Sequence, residues 1–114
     1  MRSTLLALSL LLPLCGCGRH AATLYQWGSY EPLLYTGFER YEPPVRQLAV
    51  MERESEQCAQ SGRRLPPGWH AQMGYLYYQN GAREAARVAF MREKELYPES
   101  ARFMDRLLKA LEPR

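Results

Sequence analysis

The chain has little of what enzyme active sites are made from. Its 114 residues include one aspartate, Asp105, and two histidines, His20 and His70. Neither histidine stands at a metal-ligand spacing from a cysteine or carboxylate. Glycine-rich phosphate loops are missing. The carboxylates Glu93 and Glu95 point to different sides of a helix, which predicts a solvated pair and not a catalytic one. A hydrolase would need a carboxylate or histidine in a pocket, and none is visible. The sequence therefore predicts no catalytic residue, no metal, no cofactor and no small-molecule substrate. Lysine is scarce as well, with 2 against 13 arginines. That bias fits a GC-rich genome better than an anion site, and no basic stripe argues for nucleic acid.

What is present begins at the N-terminus. Met1-Arg2 is a short positive start, and Leu5 to Leu14 is an apolar run of signal-peptide length, too short to span a bilayer. It closes with Leu14-Cys15-Gly16-Cys17, which resembles the bacterial lipobox; Cys15 stands where that motif more often has Ala, Ser or Thr. The resemblance implies cleavage before Cys17 and acylation of its thiol, with palmitate among the chains. The alternative is an ordinary secretory signal cut elsewhere, leaving Cys17 free. Each acyl chain contributes about 0.8 kcal/mol per buried CH2, and two or more give stable anchoring. Gly18, where an aspartate would favour inner-membrane retention, implies the outer membrane. Residues 1–16 are thus read as signal peptide, 17–24 as lipidated tether and 25–114 as the folded domain. The seven residues from Gly18 to Leu24 reach about 23 Å at most. Whatever the domain binds lies close to the membrane face.

Removal of Arg2 leaves 14 basic against 12 acidic residues, nearly balanced. Cys58 is then the one cysteine within the domain. It is open to pairing between chains in an oxidising compartment, or to packing as a small buried residue.

Hydrophobic spacing predicts helices throughout the domain. Ser29 is placed to cap a short helix with Tyr30, Leu33, Leu34, Phe38 and Tyr41 on its apolar side. A second helix runs from Pro44 to Gln60, with Val45, Leu48, Ala49 and Met51 as its apolar face and a solvated second half that projects beyond the core. Arg63-Arg64-Leu65-Pro66-Pro67-Gly68 reads as a loop. Helices follow over Trp69 to Gln79 and Arg83 to Tyr97, joined at Asn80-Gly81. A last helix, Ala101 to Leu111, is capped by Ser100 and presents Phe103, Met104, Leu107, Leu108 and Leu111.

Met73-Gly74, Tyr77, Ala86, Phe90 and Pro98 fall at the spacings of the tetratricopeptide repeat, a 34-residue helix-turn-helix unit. Trp27-Gly28-Ser29-Tyr30-Glu31 resembles the turn and second-helix start of a degenerate preceding repeat. The fold class expected is all-α: a tetratricopeptide-like (TPR-like) helical hairpin with a degenerate half-repeat before it and a capping helix after it. In that family the first helix of each repeat lines a concave groove, which implies partner contacts at Ala71, Tyr75, Tyr78 and Gln79. Two tyrosines on one face suit peptide recognition. Alternatively the Pro44 helix or the Trp27 segment covers them as core.

Beyond the repeat, the chain resembles a family of short, uncharacterised bacterial outer-membrane lipoproteins. The lipobox, Tyr25 to Glu31, Pro66-Pro67-Gly68, Gly74-Tyr75-Leu76, Glu93 to Ser100 and Phe103 to Leu107 carry the likeness. Such proteins accompany two other envelope lipoproteins, one similar to the curli secretion channel protein CsgG. The resemblance implies a lipid-anchored periplasmic adaptor that docks an envelope protein in an outer-membrane assembly or secretion complex. The alternative function is a structural lipoprotein that contacts peptidoglycan.

Overall fold

The computed structural model describes residues 23–39 and 42–113. The signal peptide, Cys17, most of the tether and Tyr41 lie outside the described residues. Among the described residues five α-helices follow in order: α1 (Tyr30–Glu39), α2 (Pro44–Ser61), α3 (Trp69–Gln79), α4 (Arg83–Leu96) and α5 (Ala101–Ala110), with a 3-10 turn, Pro98–Ser100, before the last. The fold is all-α, as the periodicity predicts. The β-type pairing among the described residues is one isolated parallel bridge between Tyr25 and Arg64. No described helix is long and apolar enough to cross a membrane.

The α3–α4 hairpin is the centre of the packing. Gly81 takes a left-handed φ of 78° at the turn, a conformation open to glycine without steric cost. Gly74 lets the helices close up, because a methyl group there would lie 2.4 Å from the Phe90 ring. Two apolar clusters meet on the hairpin. Leu48, Met51, Trp69, Met73, Leu76 and Ala89 form the first, joining α2 to α3 and α4. Ala86, Phe90, Met104 and Leu111 form the second, sealing α4 with α5. Tyr77 packs against both.

Helix α2 departs from its predicted face. Leu48 and Met51 are buried, but Val45 is 60% exposed and Ala49 is also outside. The second half does not project into solvent. Ser55 accepts the indole N–H of the fully buried Trp69 at 2.9 Å, and Cys58 is a buried free thiol. Glu54 holds Ser29 through both the backbone N–H at 2.9 Å and the hydroxyl at 2.5 Å. That hydroxyl is therefore directed to α2. Polar side chains bond across the interface where apolar ones are few, so hydrophobic periodicity alone misses the contact.

Two other expected caps and faces differ. The Ser100 hydroxyl donates back to the Tyr97 carbonyl at 2.7 Å and makes no cap bond to α5. On α5 Met104 is buried, as is Leu111 just past its end, whereas Phe103 is 52% exposed beneath the guanidinium of Arg106. On α1, Tyr30 and Leu33 reach the core, but no residue is fully buried and Phe38 is 89% exposed. The helix leans on Trp69 through Tyr30, ring centroids 5.5 Å apart, and its later turns have little to pack against.

Glu93 is the largest correction. It is 1% exposed, and its Oε1 accepts the Gly68 N–H at 2.6 Å. Gly68, with φ 90°, is the N-cap of α3 and offers no side chain of its own. The Tyr97 hydroxyl donates to the Leu65 carbonyl at the other end of the same loop. Glu95, two residues on, is exposed as expected.

Gly74→Ala is expected to lower the urea midpoint with an unchanged slope, costing about 1–3 kcal/mol through overpacking against Phe90. A pH dependence follows from Tyr77, whose hydroxyl donates to Glu52 at 2.6 Å. Burial, then the hydrogen bond to Glu52 and its charge, push its pKa from 10.0 up to about 12. The fold thus favours the protonated phenol. Its contribution is complete below pH 10 and is lost as pH rises toward about 12. Tyr77→Phe should flatten that alkaline decline by about 1 kcal/mol, allowing for solvent screening, as read by urea unfolding on either side of pH 10.

Candidate functional site

An amphipathic helix buries one stripe and leaves the rest to water, so the composition of the free face decides what the helix can bind. On α3 the buried stripe is Trp69, Met73, Gly74 and Leu76. Gln72, Tyr75 and Gln79 follow one another at intervals of three and four along the neighbouring stripe. There they form one wall of a cleft of about 290 Å³. Leu34, Gly37 and Phe38 of α1 form the opposite side, and Pro44 and Gln47 of α2 close the end.

Aromatic and amide side chains line this cleft together with Leu34, Leu76 and one acidic residue, Glu42. Tyr75 is 51% exposed, and its hydroxyl accepts from Gln79 Nε2 at 3.0 Å, an i, i+4 bond that orients both side chains. Gln47 is buried and donates to the Glu42 carbonyl at 3.1 Å. Its amide also fixes how near α1 can come, because a methyl group on Gly37 would lie 3.2 Å from Gln47 Oε1. Amides both donate and accept, so they match a peptide backbone, while the rings supply apolar area. The volume is at the lower end for a small-molecule pocket and suits one or two large side chains of a partner.

Phe38 is shared with a second, shallower concavity on α1, lined by Glu31, Pro32, Leu34 and Tyr35. Tyr35 is 63% exposed and its hydroxyl pKa is raised, first by its hydrogen bond to Glu39. The two concavities form one surface in which exposed aromatic rings stand beside polar rims. Contiguous exposed apolar surface of this kind marks interaction sites.

Of the four residues predicted to face a groove, the structure brings two together. Tyr75 and Gln79 line the cleft. Ala71 is half-buried and packs against the second apolar cluster, because the α5 cap closes over that side of the hairpin. Tyr78 is 47% exposed but does not line the cleft, which lies on the α1 side of α3. Neither tyrosine is covered as core by α2 or the Trp27 segment. Gln72 was within reach of sequence reasoning, since it completes the i, i+3, i+7 stripe with Tyr75 and Gln79. Phe38 and Gln47 were not. Their roles depend on how α1 ends and α2 begins.

Among the described residues, no group of three or more His, Cys, Asp and Glu side chains could hold a metal ion. His70 is half-buried, and its pKa is lowered by burial first and the Arg92 charge second. Cys58 donates to the Arg63 carbonyl at 3.1 Å, and burial pushes its thiol pKa up against the opposing pull of Arg63.

No curated protein and no solved structure matches the chain. A family model described as Domain of unknown function (DUF4810) matches residues 24–107.

Proposed function

The chain belongs to the family of this domain of unknown function, DUF4810, and on that premise we propose that it is a lipid-anchored periplasmic adaptor. It is held at the inner face of the outer membrane by acyl chains on Cys17. There it docks a protein partner in an outer-membrane assembly or secretion complex, with a CsgG-like lipoprotein as the first candidate. The function is binding without chemistry.

The observation that carries this reading is the pair of exposed rings, Phe38 at 89% and Tyr75 at 51%, on the two walls of one amide-lined cleft. Leaving large aromatic area in water forgoes about 1.5–3 kcal/mol of burial per side chain. A partner that covers both rings recovers it. Aromatic anchors in a pocket with a polar rim are the usual centres of binding energy at protein interfaces.

Photocrosslinkers placed at Phe38 and Tyr75 in cells are expected to trap the same envelope protein. No adduct at either position, with the protein present at its normal level, would sink the reading. Phe38→Ser and Tyr75→Ala should alter stability by no more than about 0.5 kcal/mol, because both side chains are exposed. They should nevertheless cut the adduct yield from a reporter at Gln72 severalfold. Retention on isolated sacculi without any partner would favour wall contact instead. Cys17→Ala is expected to abolish fatty-acid labelling and leave unprocessed precursor; a wild-type chain that takes up no label overturns the anchor.

A further inference from the structure

The arginine-rich composition gives no reason by itself to expect an anion site, but the fold gathers three of these arginines around one cleft. It measures about 310 Å³ and lies between the C-terminal half of α2, residues 63–65, and α3 and α4. Arg63, Arg64, Arg92 and His70 line it, with Tyr97 and Leu96 beside them, and no carboxylate does. Three acids stand nearby, Glu93, Glu95 and Glu99, the first and last of which act on Tyr97 through their charge. Glu93 is buried against Gly68, and Glu95 makes an exposed i, i+3 pair with Arg92 at 3.2 Å. Such a surface pair is weak and is readily exchanged for a stronger acceptor.

The cations share the space they line. Arg64 pulls the Tyr97 hydroxyl pKa down against burial, and Arg92 does the same to His70 in the same sense as burial. Arg63 donates to the Gln26 side chain, and Arg64 is pinned at its backbone by the Gln26 N–H at 2.8 Å. Arg63 is thus held at its guanidinium and Arg64 at its backbone, and both residues are exposed. Guanidinium forks match the paired oxygens of a phosphodiester, and Leu96 adds apolar lining beside them.

We propose that this cleft takes the phosphodiester of an anionic phospholipid headgroup in the bilayer to which the chain is anchored. The inference rests on the anchor at Cys17. The choice of lipid follows from where the chain meets the domain: Tyr25 pairs with Arg64 at the rim of the cleft. The seven residues from Gly18 to Leu24 reach about 23 Å, so the membrane surface is held within range of these three arginines. Basic clusters beside an anchor are drawn to anionic leaflets in this way. The arginine cleft and the Tyr75 cleft share no lining residue, so headgroup and partner can be bound together.

The test is arginine-specific modification by phenylglyoxal of the purified, lipidated full chain in nonionic detergent, read at each arginine by mass spectrometry. Phosphatidylglycerol is expected to slow modification of Arg63, Arg64 and Arg92 at least threefold. Phosphatidylcholine should not, and Arg83 and Arg87, outside the cleft, should react at unchanged rates. Arg64→Gln with Arg92→Gln should abolish the protection of Arg63 while leaving the helical circular-dichroism spectrum intact. No protection, equal protection at Arg83 and Arg87, or protection by inorganic phosphate but not by phosphatidylglycerol would each overturn the headgroup assignment. Intact mass of the same sample reports the lipid on Cys17, so failure of the anchor and failure of the cleft are seen separately.

Discussion

A carboxylate buried at the start of a helix holds the domain together. Helix α3 begins at Gly68, which cannot cap it, and the missing acceptor comes from Glu93, twenty-five residues on and one helix away. Removing a carboxylate from water is costly, and what offsets the cost here is a hydrogen bond to a backbone N–H together with the positive end of the helix. The second oxygen, Oε2, has no hydrogen-bond partner. The Glu93 charge acts on Tyr30 and Tyr97, whose hydroxyl pKa values are raised by burial first and by Glu93 among the further causes. Glu93 thereby sets the register of the hairpin from within. Side-chain packing at Gly74 and Phe90 then has one geometry to satisfy.

The segments that carry the family resemblance meet around this carboxylate. Pro66-Pro67-Gly68 is tied at one end by Tyr97 and at the other by Glu93. Tyr25 stacks edge-on against Tyr97 and against Trp27, Trp27 leans on Tyr30, and Tyr30 rests on Trp69. Three stretches distant in sequence thus form one aromatic and hydrogen-bonded seam. The matched region, residues 24–107, contains all of it. In a domain with so few fully buried large side chains, the seam does work that a larger core would otherwise do.

Legibility from sequence followed the range of the interaction. The α3–α4 hairpin could be read because its determinants are local: the glycine turn, Gly74, Ala86 and Phe90 at fixed spacing. Glu93 could not, because a glutamate on a charged helix reads as solvated until a capless helix end is brought beside it. The second half of α2 was missed for the same reason, its contacts being polar and nonlocal at Glu54 and Ser55. The opposite error arises at Val45, Phe38 and Phe103, where apolar spacing promised burial that so small a domain cannot supply. In the candidate site, Tyr75 and Gln79 were legible as a stripe on one helix. Phe38 and Gln47 join them only through the packing of α1 across the start of α2.

The point at which the chain joins the domain has a mechanical consequence. A pull transmitted from upstream of Leu24 is first borne by the Tyr25–Arg64 bridge, the Gln26 contacts to residues 63 and 64, and then Glu54 on Ser29. With the Tyr25 ring against Tyr97 and Trp27, these part-exposed polar bonds stand ahead of the aromatic seat of Tyr30 on Trp69. Tension would peel the leading segment away before it reached the buried hairpin. Under such a pull the bridge and its neighbouring contacts would yield before the helices behind them.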